Sequence, residues 1–390
     1  EISACLVGSE MCIRDSYKTF KTTFAGRELM VETGKVCGLA NGSCWVHYGE
    51  TVVMVNVTAS AKPREGVDFF PLAVDYEEKL YAVGKIPGGY LKREGRPSEK
   101  AILNSRVVDR PMRPLFPKDM RNDVAIVMTV LAVDPETQPE IIAMIGASIA
   151  VSISDIPWNG PIGGVFVGLV DGKIVINPTA AQRAKSDLEL TVAATAEKVV
   201  MIEAGAKEVD EDTMYEAIMK AHEAIKPLVA FINDIKAQIG KEKFAYPSCE
   251  IDHDMFDRIE ALVGEDVKLA LDTDDKKIRD ARLQPLYDKV YAELEEDYPD
   301  SKLMINECMY KLQKKIVREW LKKDKRRVDG RRMDQIRPLA AEVGILPRTH
   351  GSAMFTRGQT QVLTVATLGP VSDQQVLDGI DSEAVSYTHL

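Results

Sequence analysis

Residues 42–58 read GSCWVHYGETVVMVNVT, and residues 351–367 read GSAMFTRGQTQVLTVAT. The two stretches align without a gap, 309 residues apart. Gly42, Ser43, Gly49, Thr51, Val53 and Thr58 recur as Gly351, Ser352, Gly358, Thr360, Val362 and Thr367. Each copy predicts a strand, a tight G-[EQ]-T turn and a second strand rich in Val and Thr. The echo extends upstream. Gly26-Arg27 is answered by Gly330-Arg331, and Glu32-x-Gly34 by Glu342-x-Gly344 with a slip of one residue. A shared turn alone arises by chance. A shared turn, both strands and the lead-in point to a duplicated domain. The second copy begins about 60 residues before the last one, too few for a domain of ordinary size. The chain is therefore expected to be a fragment with an incomplete repeat.

A length of 390 residues leaves room for two or three domains. Hydrophobic content of 45% and charged content of 28% are ordinary for a globular protein. No apolar run is long enough to span a bilayer. The net charge of −10 argues against non-specific nucleic-acid binding by the bulk surface, but leaves room for a local basic patch. Six cysteines without a C-x-x-C pair argue against a zinc site or disulfide framework. Asn41-Gly42-Ser43 and Asn56-Val57-Thr58 match the glycosylation pattern, but nothing else suggests secretion. The ends depart from the pattern beside them. EISACLVGSEMCIRDS before Tyr17 and AVSYTHL at the close resemble translated adapter tails. The first has neither the basic start nor the continuous apolar core of a signal peptide.

The body divides by pattern. Tyr17 to about Ala61 reads as strands and tight turns, and FFPLAVDY (69–76) as another strand. A basic Gly-rich loop, GKIPGGYLKREGRPSEK (84–100), leads into AILNSRVVDRPMRPLF, a helical stretch expected to break at Pro111 and Pro114. VAIVMTVLAV (124–133) predicts a buried strand, and EIIAMIGASIAVS (140–152) a buried helix. Residues 161–170 and 173–176 form a hairpin around Asp171-Gly172, and 188–194 with 198–204 form another. A long amphipathic helix is expected from about Asp210 towards Gly240. The first domain is thus α+β, spanning 17–240. Residues 241–325 are charged and helical in period, which reads as an all-helical linker domain. Within them DTDDKK (272–277) lacks the Gly and closing Glu of a calcium loop, and reads as a helix entry.

Several blocks together resemble the polynucleotide phosphorylase family: DFFPLAVDYEEKLYAVGKIPGG, GKIPGGYLKREGRPSEKAILNSRVVDRPMRPLFP, MIGASIAVSISDIPWNGPIG and VDGRRMDQIRPLAAEVGILPRTHGSAMFTRGQTQVLTVATLG. The resemblance runs in order over residues 17–383. It implies a duplicated RNase PH-like core (ribosomal protein S5 domain 2-like fold) with a helical linker domain. The expected layout is a tail at 1–16, a first core at 17–240, the linker at 241–325, a truncated start of a second core at 326–383 and a tail at 384–390. It also implies 3′→5′ phosphorolytic degradation of RNA to nucleoside diphosphates, reversible to polymerisation, in mRNA turnover. Further implications are Mg²⁺ as cofactor, inorganic phosphate and a single-stranded RNA 3′ end as substrates, a homotrimeric ring, RNA-degradation complex partners, downstream KH and S1 modules, and a cytoplasmic location.

The basic loop suits a polyanion. Lys85, Lys92, Arg93, Arg96, Lys100, Arg106, Arg110 and Arg113 cluster in an otherwise acidic chain. Tyr90 can stack on a base and Lys92-Arg93 can grip phosphates. In the family the matching loop lines the pore of the ring, most often as two aromatics followed by two arginines. This chain has Tyr90-Leu91-Lys92-Arg93, one aromatic and one guanidinium fewer. The candidate RNA-binding residues are Tyr90, Leu91, Lys92, Arg93, Arg96, Arg106, Arg110 and Arg113. The competing reading is a solvated turn, with the arginines near Pro111 and Pro114 paired to Asp109 or to backbone carbonyls. Arg348 and Arg357, around the repeated turn, are further candidates for RNA or phosphate, against a role in turn chemistry alone. His350 has no orienting carboxylate nearby in sequence to make it a general base.

No catalytic residue and no metal ligand is expected within this chain. The family's serine loop, paired aspartates and lysine belong to the second core, beyond residue 390. Aligned on the first core, those positions become Gln138, Pro139 and Glu140, then Arg183, Glu189 and Thr191. Glu189 is left as a lone acid on a strand. The first core thus resembles a degenerate copy kept for ring assembly and RNA guidance. The alternative is a non-catalytic RNase PH-like RNA-binding ring subunit. A single-core phosphorolytic exonuclease is disfavoured by the internal repeat.

Overall fold

The first chain reversal falls at Ala25-Gly26, both in left-handed backbone at φ +47° and +81°, as a two-residue hairpin turn requires. It joins β1 (Lys18–Phe24) to β2 (Arg27–Thr33). The computed structural model describes residues 17–373 and 379–380, apart from 65, 66, 68, 89, 91, 299 and 300. The terminal tails and Leu91 lie outside the described residues. These residues divide into two compact units, one ending at Ser248 and one beginning at Cys249, with 379–380 going with the first.

In the first unit, β3 (Gly42–Tyr48) and β4 (Thr51–Pro63) are the opening copy of the repeated stretch. Every second residue is buried in β3 and in β4 as far as Val57, the signature of a sheet with one face on a core. β5 (Leu72–Glu78) follows, then a 3-10 turn at Leu80–Val83, the Gly-rich loop, and α1 (Glu99–Met112). Ser98 caps α1, its hydroxyl accepting the Ala101 N–H at 3.0 Å. The break expected at Pro111 does not occur there: the helix runs through it to Met112 and tightens into a 3-10 turn at Arg113–Leu115. Pro111 sits in the last turn, so its missing N–H removes a single bond. The Met112 carbonyl accepts from the Trp158 indole at 3.3 Å.

β6 (Asn122–Ala132) inserts between β4 and β5, antiparallel to the first and parallel to the second, in a sheet ordered β1-β2-β3-β4-β6-β5. α2 (Pro139–Ile153) is buried at every position except Glu140, as its all-round apolar sequence demands. One side of α2 packs on β3 and β4; the other meets β7 (Gly163–Val170). β7 and β8 (Lys173–Ile176) turn at Asp171-Gly172, both at positive φ. After a short α3 (Ala180–Arg183), β9 (Leu188–Ala194) and β10 (Val199–Ala206) complete a second sheet, ordered β10-β9-β7-β8. α4 (Glu211–Ile239) closes the core against β7, β9 and α2. Residues 241–248 carry no helix and lie along this first core. The Lys243 ammonium donates to the carbonyls of Val151, Ser152 and Ser154 at 3.1, 3.2 and 2.5 Å, at the carboxyl end of α2. Burial and the Lys236 ammonium push its pKa down to about 8.

The second unit opens with α5 (His253–Leu271), α6 (Lys276–Leu294) and α7 (Lys302–Glu319), the last continuing through a π turn at Trp320–Asp324. Asp275 caps α6 by accepting the Lys277 and Ile278 N–H groups, so the DTDDKK segment is a helix entry. Met255, Ile259, Val263 and Val267, one turn apart, pack with Leu283, Val290, Ile305, Leu312 and Ile316 into a helical core.

The repeat then recurs as structure. β11 (Leu339–Val343), β12 (Gly351–Arg357) and β13 (Thr360–Ala366) form a three-stranded sheet. Gly351 pairs with Ala366 and Arg357 with Thr360, the register in which Gly42 pairs with Val57 and Tyr48 with Thr51. Gly49 and Gly358 turn the two hairpins at φ +61° and +62°. Glu342 pairs with Met354 as Glu32 does with Trp45, so the one-residue slip is real. Ser43 donates to the Val36 carbonyl at 3.0 Å, and Ser352 accepts the Leu346 N–H at 2.8 Å. The copies differ in burial. Thr51, Val53, Val55 and Val57 are buried in β4, whereas no residue of its counterpart β13 is.

Candidate nucleic-acid interface

The Gly-rich loop is held from below by an acid that sequence reasoning did not single out. Glu94 folds back so that its carboxylate accepts the Leu80 N–H at 2.8 Å. It also meets Lys79 at 3.3 Å, and Lys79 reaches Glu77 at 2.8 Å. Glu77, with Glu94 beside it, holds the Lys79 ammonium above its usual pKa. Glu94, the acid next to Arg93, is thereby engaged with Lys79 rather than with the cations of the tip. Tyr90 is 99% exposed. Lys92, Arg93 and Arg96 are exposed, and none pairs with a carboxylate among the described residues. Lys92 takes φ +50°, uncommon for a residue with a Cβ, at the tip of the loop. The Arg93 guanidinium donates to the Lys92 carbonyl at 3.1 Å. Lys85 and Lys100 have partners of their own.

On α1, Arg106 is exposed, whereas Arg110 and Arg113 are not free cations. Arg110 meets Glu203 of β10 at 2.7 Å. Arg113 grips Asp109 one turn back at 2.8 Å, and donates to the Leu72 carbonyl at 3.1 Å. The two arginines thus tie α1 to the edges of two different sheets. Arg113→Met is expected to lower the stability of the first unit by about 1–2 kcal/mol, read as a shift in urea midpoint. Arg106→Gln, removing an unpaired charge, is expected to leave it unchanged. Equal midpoints for all three proteins would refute the clamp.

The degenerate positions of the first core do not assemble a phosphate site. Arg183 donates to the carbonyls of Pro135 and Pro178, both at 3.0 Å. Gln138, Arg183, Arg27, Tyr48 and Asn177 surround a cavity of about 10 Å³, roughly the room of one water. Glu189 is exposed on β9 between Gly168 and Gly205. Among the described residues no group of three or more His, Cys, Asp or Glu side chains can hold a metal. Burial pushes the Cys44 thiol up to about 12 and the Cys308 thiol up to about 11, so neither supplies a thiolate. In the second unit Arg348 and Arg357 are exposed, Arg357 at the repeated turn. The His350 ring accepts the Leu368 N–H at 2.9 Å through Nδ1. Among the described residues no helix is long and apolar enough to cross a membrane.

A two-sheet core around a buried helix, a helical bundle and a second copy of the first hairpin define a class, and family comparison supplies its description. The 3′ exoribonuclease family, domain 1, matches twice, at residues 25–157 and 335–387. Domain 2 of the same family matches 160–224. The polyribonucleotide nucleotidyltransferase RNA-binding domain matches 254–332. The class is therefore a duplicated RNase PH-like core interrupted by a helical domain. The chain is 58% identical over 374 residues to a polyribonucleotide nucleotidyltransferase of Ruminiclostridium cellulolyticum, covering 96% of this chain and 53% of that one. Relatives of the same name from Lachnoclostridium phytofermentans (56%, covering 96% and 54%) and Clostridioides difficile (53%, covering 94% and 53%) match similarly. A crystal structure of rice (Oryza sativa) Rrp46 matches at a TM-score of 0.44 and 12% identity, over 57% of this chain and 95% of that one, a likeness too slight to bear on the fold. The chain belongs to the polyribonucleotide nucleotidyltransferase family, and spans about half the length of the curated relatives it matches.

Proposed function

We propose that this chain is the RNA-guiding half of an enzyme that shortens RNA from its 3′ end with inorganic phosphate, releasing nucleoside diphosphates. The observation that carries this reading is the loop tip: Tyr90, Lys92, Arg93 and Arg96 are exposed, and the three cations pair with no carboxylate among the described residues, in a chain of net charge −10. Phosphates meet the three cations and a base stacks on Tyr90. Leu91, between Tyr90 and Lys92 in sequence, is proposed with them, and Arg106 extends the surface on α1. Arg110 and Arg113 reach RNA only by leaving their ion pairs. Arg348 and Arg357 are proposed as contacts to RNA or phosphate in the second core. The helical domain, whose matching family carries RNA binding in its name, is proposed to contact RNA as well. Mg²⁺, homotrimeric assembly, RNA-degradation complex partners and a cytoplasmic location belong to the same proposal, with the metal held outside this chain.

The test is phosphate-dependent ADP release from poly(A) with Mg²⁺. This chain, showing a cooperative thermal transition, is expected to release none. A chimera joining residues 17–373 to the remaining half of the Ruminiclostridium cellulolyticum relative is expected to release ADP. Release by the chain alone would place catalysis in the first core. A silent, folded chimera would favour a non-catalytic ring subunit.

A further inference from the structure

The face of α7 turned to the helical core carries Ile305, Cys308, Met309, Leu312 and Ile316, all buried. Its opposite ridge is basic, with one aromatic residue at its start. Tyr310 is 57% exposed. Lys314 and Arg318 follow at intervals of four residues, and Lys322 continues the row into the π turn; all three are exposed. Successive positions in such a row rise by about 6 Å and lie on one side of the helix. The Lys314 ammonium sits over the Tyr310 ring, 5.9 Å from its centre.

Several exposed cations elsewhere in the bundle are neutralised. Lys315 meets Glu260 at 2.5 Å, Arg258 meets Asp297 at 2.8 Å, and Lys289 meets Asp266 at 3.8 Å. A face built only for solvation mixes its signs in this way. Lys314, Arg318 and Lys322 pair with no carboxylate among the described residues, although the chain holds 60 acids against 50 bases. The flanking Glu319 is already engaged with Lys323 at 3.7 Å. Like charges one turn apart repel and destabilise a helix, so the row is unfavourable until an anion meets it.

We infer that Tyr310, Lys314, Arg318 and Lys322 form a second contact for single-stranded RNA, three cations meeting successive phosphates and the tyrosine ring stacking on a base. The inference rests on the RNA reading above and gives the helical domain its contact residues. An exposed aromatic beside a cationic track is the chemistry of single-strand binding. The apolar face of α7 is consumed by the bundle, which leaves none to enter a lipid surface.

The experiment is fluorescence-anisotropy titration of a labelled oligoadenylate with this chain over a range of salt. The triple variant Lys314→Gln/Arg318→Gln/Lys322→Gln is expected to bind about tenfold more weakly at low salt. Its slope of log K against log salt is expected to fall by about 2, three phosphates at about 0.7 each. Tyr310→Leu is expected to weaken binding severalfold without changing the slope. Lys314→Arg/Lys322→Arg, which keeps the charge, is expected to bind normally and controls for folding. A triple variant matching the unaltered chain in affinity and slope overturns the inference. So does row-dependent binding to phosphatidylserine vesicles with RNA affinity unchanged. A parallel variant, Lys92→Gln/Arg93→Gln/Arg96→Gln, separates the two readings. If it alone loses affinity, the second contact falls and the loop stands. If neither variant loses affinity, both fall.

Discussion

Gly42→Ala is expected to destabilise the first unit by about 3 kcal/mol, the upper range for forcing one carbon into a packed core. A Cβ at Gly42 would lie 2.3 Å from the Ala150 carbonyl oxygen and 3.0 Å from the Ser154 Cβ. The obstacle is the backbone of α2, a helix buried on nearly every side, so it cannot swing away as a flexible side chain would. Gly351 is the same residue in the second copy of the repeat. There a Cβ would meet only the Ala366 Cβ, at 3.4 Å, an ordinary contact. Gly351→Ala is expected to change stability by less than about 0.5 kcal/mol. The two effects separate experimentally. Trp45 and Trp158 report denaturant unfolding of the first unit, and amide exchange over 351–366 reports the second sheet. Equal penalties at Gly42 and Gly351 would show that the glycines serve the strand pairing common to both copies, not the approach of a helix to one.

Neutralising the loop tip, by Lys92→Gln/Arg93→Gln/Arg96→Gln, is expected to weaken oligoadenylate binding by about 10- to 100-fold at about 50 mM salt. Removing the three cations proposed to meet phosphates should reduce the salt slope by about 2. The variant should fold as the unaltered chain does, because none of the three side chains pairs with a carboxylate among the described residues. Glu94→Gln makes the complementary case. It keeps the tip cations but removes the carboxylate that accepts the Leu80 N–H and meets Lys79. Binding should fall less, and with an unchanged slope, since positioning is lost while the tip cations are kept. A tip variant that binds as tightly as the unaltered chain would place RNA elsewhere.

Much of this molecule is readable along the chain. Hairpin turns at Asp171-Gly172 and Gly49 follow from residues that tolerate positive φ, and both form where expected. The apolar, small-residue-rich run of 140–152 becomes a helix buried at every position but Glu140, and the charged, helically periodic stretch becomes a bundle. The duplication itself, including its one-residue slip at Glu342, is visible in the letters and is repeated in the strand register. Pro111 is where local rules mislead, because a proline in the last turn of a helix removes only one bond. Among the cations, spacing cannot tell Arg96 from Arg110. Both look like free charge until β10, 93 residues away, brings Glu203 to one and not to the other.

Local order was thus settled by periodicity and turn chemistry, which act between neighbours in the chain and survive in any fragment of it. The same letters could not say which copy of a glycine faces a helix. Nor could they say which acid folds back to hold a loop, or which arginines remain unpaired. Those outcomes depend on groups brought together through space. Charge pairing and steric exclusion act over a few ångströms, whatever the distance along the chain.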